Sequence, residues 1–256
     1  MQDKPLRRWL NNLIGKHGRQ PVLVKALSER DRRRVLRHFM ALDNNDRLLR
    51  FGSVLPDEQV ARYVGKLDFA NDIVFGVYNR LFQLAGVGHL AFTSKDAHPD
   101  SIHYTDKEKV AEFGVSVSAS ARGQGVGTRL FERAAIHCRN SDVDTLYMQC
   151  LSSNRTMMHI AKKAGMEIQR EYGEADAHLH LPPPSPSSVL AEALEEQVAK
   201  IDYALKRNTR VALKWLSPKK QSNDRQRRRF LDPLQGKTGF HVQHGRMPQQ
   251  RSHHEA

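Results

Sequence analysis

The sequence is short of the groups that staple a chain or let it span a membrane. Only two cysteines, Cys138 and Cys150, occur among 256 residues, without CxxC or His/Cys spacing. A disulfide framework is excluded, no metal site is expected, and both thiols read as ordinary buried side chains. No apolar run approaches the roughly 20 residues that a bilayer crossing needs. The opening Met1-Gln2-Asp3-Lys4-Pro5 lacks a secretory signal pattern, so a cytoplasmic protein with no membrane contact is expected. Acidic residues are also few, 28 against 41 Lys and Arg, for a net charge of +13. With a hydrophobic share of 39%, this composition fits one medium-sized domain with appended segments.

The charge excess is uneven. Residues 218–256 hold nine Lys and Arg against three Asp and Glu, with the cluster Arg225-Gln226-Arg227-Arg228-Arg229 at their centre. So basic and apolar-poor a tail is expected to be disordered in isolation. Its attraction to polyanions is generic, amounting to weak, non-specific contact with nucleic acid, and it carries no recognised folded binding motif. His241, His244, His253 and His254 lack the Cys or carboxylate companions of a metal site.

Hydrophobic periodicity divides the rest. Residues 1–19 place Leu6, Trp9, Leu10, Leu13 and Ile14 at helical spacing, an N-terminal helical extension. A strand over 22–27 precedes a helix that starts at Ser28 and Asp31 and carries Val35, Leu36, Phe39 and Met40. A second helix is expected over 56–67, then an antiparallel strand pair, 73–78 and 81–92, joined at Asn79-Arg80. After a polar loop, about 93–106, comes a βαβα unit: strand 110–117, turn 118–125, helix 126–139, strand 145–151, helix 154–164. Short strands follow near 167–172 and 177–181, closing a domain over 20–181. The proline-rich stretch 182–188 reads as a stiff extended linker. Beyond it, residues 189–217 carry Leu190, Leu194, Val198, Ile201 and Leu205 on one helical face. Such a stripe has to be buried, either on the domain or between two subunits of a homodimer.

The turn Arg122-Gly123-Gln124-Gly125-Val126-Gly127-Thr128 lies between a strand and a helix. Its bare backbone suits a phosphate, which the unpaired amides and the positive helix end attract. No GxxxxGK[ST] string exists, and a dinucleotide fingerprint fails because Thr128 stands where the third glycine belongs. The remaining pattern is [RQ]xxGx[GA], met by Arg122, Gly125 and Gly127. With the preceding run from Ala111 to Val117, and Asn154 followed eleven residues later by Gly165-Met166, it resembles the GNAT acetyltransferase superfamily over roughly 110–168.

The resemblance implies an α/β (α+β) fold with a mixed, mainly antiparallel sheet flanked by helices, followed here by the C-terminal helix and basic tail. It implies acetyl-CoA as co-substrate, without a metal, and transfer of the acetyl group to a primary amine of a small molecule or protein. In such proteins the strand before the loop splays from its neighbour, and pantetheine hydrogen-bonds to the backbone left bare, here at Val115 and Val117. The diphosphate then lies on the amides of Gly123, Gln124, Gly125, Val126, Gly127 and Thr128, beside Arg122. Asn154 either reaches pantetheine, bridges the splayed strands, or only caps its helix. Glu112 is the candidate catalytic base, with an exposed strand glutamate as the alternative. The family's usual tyrosine acid is missing: seven residues after Asn154 stands Ala161. Tyr147, His159, Tyr172 or water are the substitutes, and the gap leaves open an acyl-CoA-binding regulatory or assembly protein that is catalytically weak.

Overall fold

The computed structural model describes residues 21–92 and 109–216, the last five by backbone alone. The expected N-terminal helix, the polar loop and the basic tail lie outside the described residues.

In chain order the elements are β1 (Lys25–Ala26), a 3-10 turn (Glu29–Asp31), α1 (Arg32–Met40), α2 (Asn44–Phe51), α3 (Asp57–Lys66), β2 (Ile73–Tyr78), β3 (Leu84–Phe92), β4 (Val110–Val117), α4 (Val126–Asn140), β5 (Thr145–Leu151), α5 (Arg155–Ala164), β6 (Glu167–Glu171), β7 (Glu174–His180) and α6 (Pro186–Leu216). The strands form one sheet in the order β1-β2-β3-β4-β5-β7-β6. Every neighbouring pair is antiparallel except β4 and β5.

Period-two alternation gives the sheet two apolar faces. Val74 and Tyr78 of β2 join Val35, Phe39, Val60 and Val64 under α1 and α3. Phe75 and Val77 join Phe113, Leu130, Phe131 and Ile160 under α4 and α5. Leu130, Ala134 and Cys138, four residues apart on α4, are all 0% exposed, and side chains of this kind contribute roughly 1.5–3 kcal/mol each when large and fully buried. Burial pushes the Cys138 thiol up to about 12.

Several expectations are corrected. Of the strand over 22–27, only Lys25–Ala26 pairs, against Gly76 and Phe75. The strand expected from 81 starts at Leu84, because Phe82 takes a left-handed φ of 56° while Asn79 Oδ1 accepts from the Leu81 and Gln83 amides at 3.0 and 2.9 Å. Helix α2 was not expected at all. The extended linker shrinks too, since Pro186 opens α6, where its missing N–H costs nothing, and Ser185 Oγ accepts from Ser188 N at 3.2 Å.

Of the two places expected for the α6 stripe, the domain is not the one: Leu190, Leu194, Ile201 and Leu205 are 42–63% exposed. The helix docks through a mixed face, on which Ala199 is buried and Tyr203 packs against Tyr78 and Phe82. Glu195 meets Arg129 at 2.8 Å, and Glu192 binds Arg133 at 2.5 Å and His137 at 2.7 Å. Near its end, Lys206 and Arg210 donate to Tyr78 O and Phe82 O at 2.9 and 3.0 Å.

Candidate active site

Gly123 and Gly125 adopt φ of 70° and 80°, and nothing stands within 4 Å of where a Cβ would be at either. Backbone handedness rather than crowding demands glycine there. Gly127 answers to closeness instead, since its Cβ would stand 3.2 Å from Ile160 Cδ1 and 3.7 Å from Val117 Cγ2. The α4 hydrogen-bond ladder begins at Arg129, whose N–H reaches Gly125 O at 3.0 Å. The N–H groups of Val126, Gly127 and Thr128 therefore stay outside it, at the positive end of the helix, where an anion is favoured. Around them, Arg122 forms an ion pair with Asp46 of α2. Gln124 turns back to donate to Ser120 O at 2.8 Å. The Val126 side chain is buried, and Thr128 lines the adjoining cavity.

That cavity, about 440 Å³, continues along β4 past Val117, Ser116 and Val115. It exists because the sheet parts. Strand β4 pairs with β5 only at Val110, Ala111 and Glu112, opposite Thr145, Leu146 and Tyr147. Beyond them β5 stays paired to β7 as far as Leu151, whereas β4 keeps β3 alone. From Phe113 to Val117 every second backbone N–H and C=O points at the gap, an edge open to an added strand. Asn154 lines this space. Its Oδ1 accepts from Met157 N at 3.1 Å and its Nδ2 donates to Leu49 O at 3.4 Å, so it caps α5 and ties it to α2.

A second cavity, about 270 Å³, opens on the other side of the parting, lined by Glu112, Gly114, Gln149, Cys150 and Glu174. Leu49, Arg50, Val115 and Met157 line both cavities and mark the neck between them. Glu112 is exposed, opposite Ala91 of β3 and Tyr147 of β5. Gln149 Nε2 donates to Glu174 Oε2 at 3.1 Å. Sequence reasoning missed Arg50, Gln149 and Glu174. The signal for Arg50 was there, because Asp43 caps α2 by accepting from Asp46 N at 2.7 Å and Gly52 ends it with φ 73°.

Two histidines, His38 buried and His89 half-buried, lie on the side of the sheet that carries α1 and α3. His38 donates from Nδ1 to Leu84 O at 3.1 Å, so its Nε2, 2.5 Å from Ser116 Oγ, accepts that hydroxyl. Burial lowers His38 to about 4 and keeps it neutral. His89 is likewise pushed down by burial, with Asp72 pulling the other way. Its Nε2 lies 2.9 Å from Asp72 Oδ2 and its Nδ1 3.2 Å from Tyr63 OH, which accepts from Arg50 Nη2 at 2.8 Å.

The sequence model of the Acetyltransferase (GNAT) family matches residues 17–166, more than half of the chain. The chain belongs to the GNAT acetyltransferase family. Among solved structures it is similar to the GNAT domain of an S. lividans protein, PAT, at 18% identity and TM-score 0.51, covering 62% of this chain and 89% of that one. It is also similar to a putative acetyltransferase from Salmonella typhimurium solved with acetyl-CoA, at 12% identity and TM-score 0.46, covering 64% and 96%. Acetyl transfer from acetyl-CoA is therefore the general chemistry of this GNAT chain. Among the described residues no helix is long and apolar enough to cross a membrane.

Within the GNAT frame the missing tyrosine can be followed in space. Ala161 is 0% exposed on α5, with no acid to offer. Tyr147 OH donates to Asp176 Oδ1 at 2.6 Å. Tyr172 is 98% exposed, at a hairpin turn with Gly173 where both φ are positive, 47° and 91°. Of the three substitutes only His159 lines the larger cavity.

Proposed function

We propose that this chain is an N-acetyltransferase that moves an acetyl group from acetyl-CoA to a primary amine of a small molecule or protein. The observation carrying this reading is the meeting of two cavities at the parted β4–β5 edge. One leads from anion-seeking amides and the other from carboxylates. In this reading the diphosphate lies on the amides of residues 123–128, with Arg122 beside it sharing its charge with Asp46. Pantetheine adds to β4 along Val115 and Val117, as an extra strand does, and Asn154 fixes the α5 wall that faces it.

The acceptor enters from the second cavity, where Glu112 and Glu174 favour an ammonium. Glu112, directly or through one water, takes a proton from it. The freed nitrogen attacks the thioester carbonyl carbon, with both reactants held in one cleft. The C–S bond breaks with its electron pair going to sulfur, and the surplus nitrogen proton is lost to thiolate or water. A thiol with a reference pKa of about 8.5 leaves without full protonation, so Ala161 does not forbid turnover.

The test is calorimetry of the purified full chain with CoA, followed by release of free CoA from acetyl-CoA across peptide N-termini, peptide lysines and polyamines. CoA binding with amine-dependent release is expected. Binding without release over that panel would favour the catalytically weak, acyl-CoA-binding regulatory protein instead, and absence of binding would overturn both readings.

A further inference from the structure

Arg50 is unlike the other arginines of this region. Arg47, one turn earlier on α2, is a structural residue, bound to Asp57 at 2.7 Å and donating to Leu55 O at 2.7 Å. Arg122, Arg129 and Arg133 each meet a carboxylate. Among the described residues Arg50 has none, and its Nε is buried with no hydrogen-bond partner. Nη2 donates to the Tyr63 phenol at 2.8 Å. Behind that phenol His89 and Asp72 complete the chain. A phenol aims a guanidinium without cancelling its charge. Phe51 and Tyr63, with ring centroids 5.1 and 5.5 Å from Cζ, also hold it without neutralising it.

The place is as specific as the partner set. Gly114 makes room for this group, because a Cβ there would stand 2.5 Å from Arg50 Nη2 and 2.7 Å from Cζ. The guanidinium thus lies over the β4 backbone beside Val115, at the neck shared by the two cavities. A buried donor and a cation with no carboxylate beside it among the described residues call for negative charge at that point. In the acetyltransferase reading the thioester reaches this neck, and its reaction develops negative charge first on the carbonyl oxygen and then on the departing sulfur.

We propose that Arg50 is a catalytic residue of this transferase, stabilising the thioester oxyanion and the leaving thiolate in place of the tyrosine acid that Ala161 replaces. The inference rests on the acetyltransferase reading above. Arg50 donates no proton. As the C–S bond breaks, the electron pair settles on sulfur facing the guanidinium, and the thiolate takes up a proton from water after release. The same cation disfavours an ammonium at the neck, so the acceptor nitrogen arrives there neutral, its proton left with Glu112 further out.

The test reads the cofactor's own thiol. CoA bound to the full chain is titrated by its ultraviolet thiolate band, with desulfo-CoA as the blank for protein tyrosines and cysteines. The bound thiol is expected to ionise at lower pH than that of CoA free in the same buffer. Arg50→Gln should return it toward that value, with Arg50→Lys intermediate. kcat should fall about 100- to 1000-fold in Arg50→Gln, the range seen when one oxyanion donor is removed, while CoA affinity stays within about threefold. Tyr63→Phe keeps the ring packing and removes the aiming acceptor, so it gives the same direction in a variant whose core is unchanged. An unshifted thiol in the wild-type complex, or one unmoved in both Arg50→Gln and Tyr63→Phe, overturns the proposal. So does a KM effect confined to carboxylate-bearing acceptors, which would make Arg50 a substrate anchor. Failure of the wild type to bind CoA would instead remove the acetyltransferase reading itself.

Discussion

The Glu195 carboxylate and the Arg129 guanidinium stand 2.8 Å apart, 1% and 13% exposed, where α6 crosses α4. Burial raises the Glu195 carboxyl, while Arg129 and Arg133 pull it back toward ionisation. A pair so enclosed is costly to break from one side. Arg129→Met should cost about 3 kcal/mol in urea unfolding, and Arg129→Met with Glu195→Leu should recover most of that loss, since an apolar pair of similar volume replaces two desolvated charges. A double variant no better than the single would contradict the docking described.

The outward face gives the complementary expectation. Ile201→Lys and Leu205→Lys replace side chains that are 62% and 63% exposed, so each should change unfolding free energy by no more than about 0.5 kcal/mol. Had the stripe been seated on the domain, the same changes would bury a charge and cost several times as much.

Acid should loosen the fold in two stages. His38, held neutral at about 4 against an ordinary 6.5, takes up its proton more readily when unfolded. Stability therefore falls as pH drops through that window. Glu192 is driven up by burial, but hydrogen bonds from His137, Asn140 and Arg133 outweigh it and hold the carboxyl at about 2 against 4.5. Its contribution is present above about 4.5 and lost as pH falls toward 2. In urea midpoints measured against pH, His38→Gln should flatten the upper stage and leave the lower. Loss of both stages together would count against the assignment.

At the glycine turn, Gly125→Glu should weaken CoA binding at least about 100-fold, through like charge against the diphosphate and strain at φ 80°. Gly125→Asn, which tolerates that backbone without adding charge, should stay within about tenfold. Equal affinity in a folded Gly125→Glu protein would remove the diphosphate from this turn.

Glu112→Gln should lower kcat by roughly 100- to 10,000-fold, the usual range for a general base, and leave CoA affinity intact. The loss should be greatest at low pH, where free amine is scarcest. An unchanged low-pH rate would return Glu112 to an ordinary exposed strand residue.

Legibility followed the strength of local signals. The βαβα unit could be read within a residue or two because Arg122, Gly125 and Gly127 fix the strand-to-helix turn and Gly165 ends α5 with φ 77°. The glycine turn that opens α4 was readable for the same reason. Helix α2 was not, since Asn44–Phe51 offers few apolar residues and its caps, Asp43 and Gly52, went unweighed. With it went Arg50, and with Arg50 the neck of the site. Gln149 and Glu174 reach the second cavity only through the pairing of β5 with β7, a long-range register that no local pattern encodes. That the α6 stripe stays off its own domain was not legible, because an apolar stripe is ordinarily buried there. What decides here is the row Arg129, Arg133 and His137 on α4, which draws the glutamates inward.

The inward-facing carboxylates of α6 tie it to α4. A polypeptide stopped at the proline stretch would contain all of residues 17–166, the portion matched by the family. Yet it would leave the Arg133 guanidinium, 4% exposed in the folded protein, without its counter-ions beneath a helix that never arrived. The packed unit is therefore longer than the portion that the family model matches. Helix α6 is thus a keystone for α4 rather than an appendage.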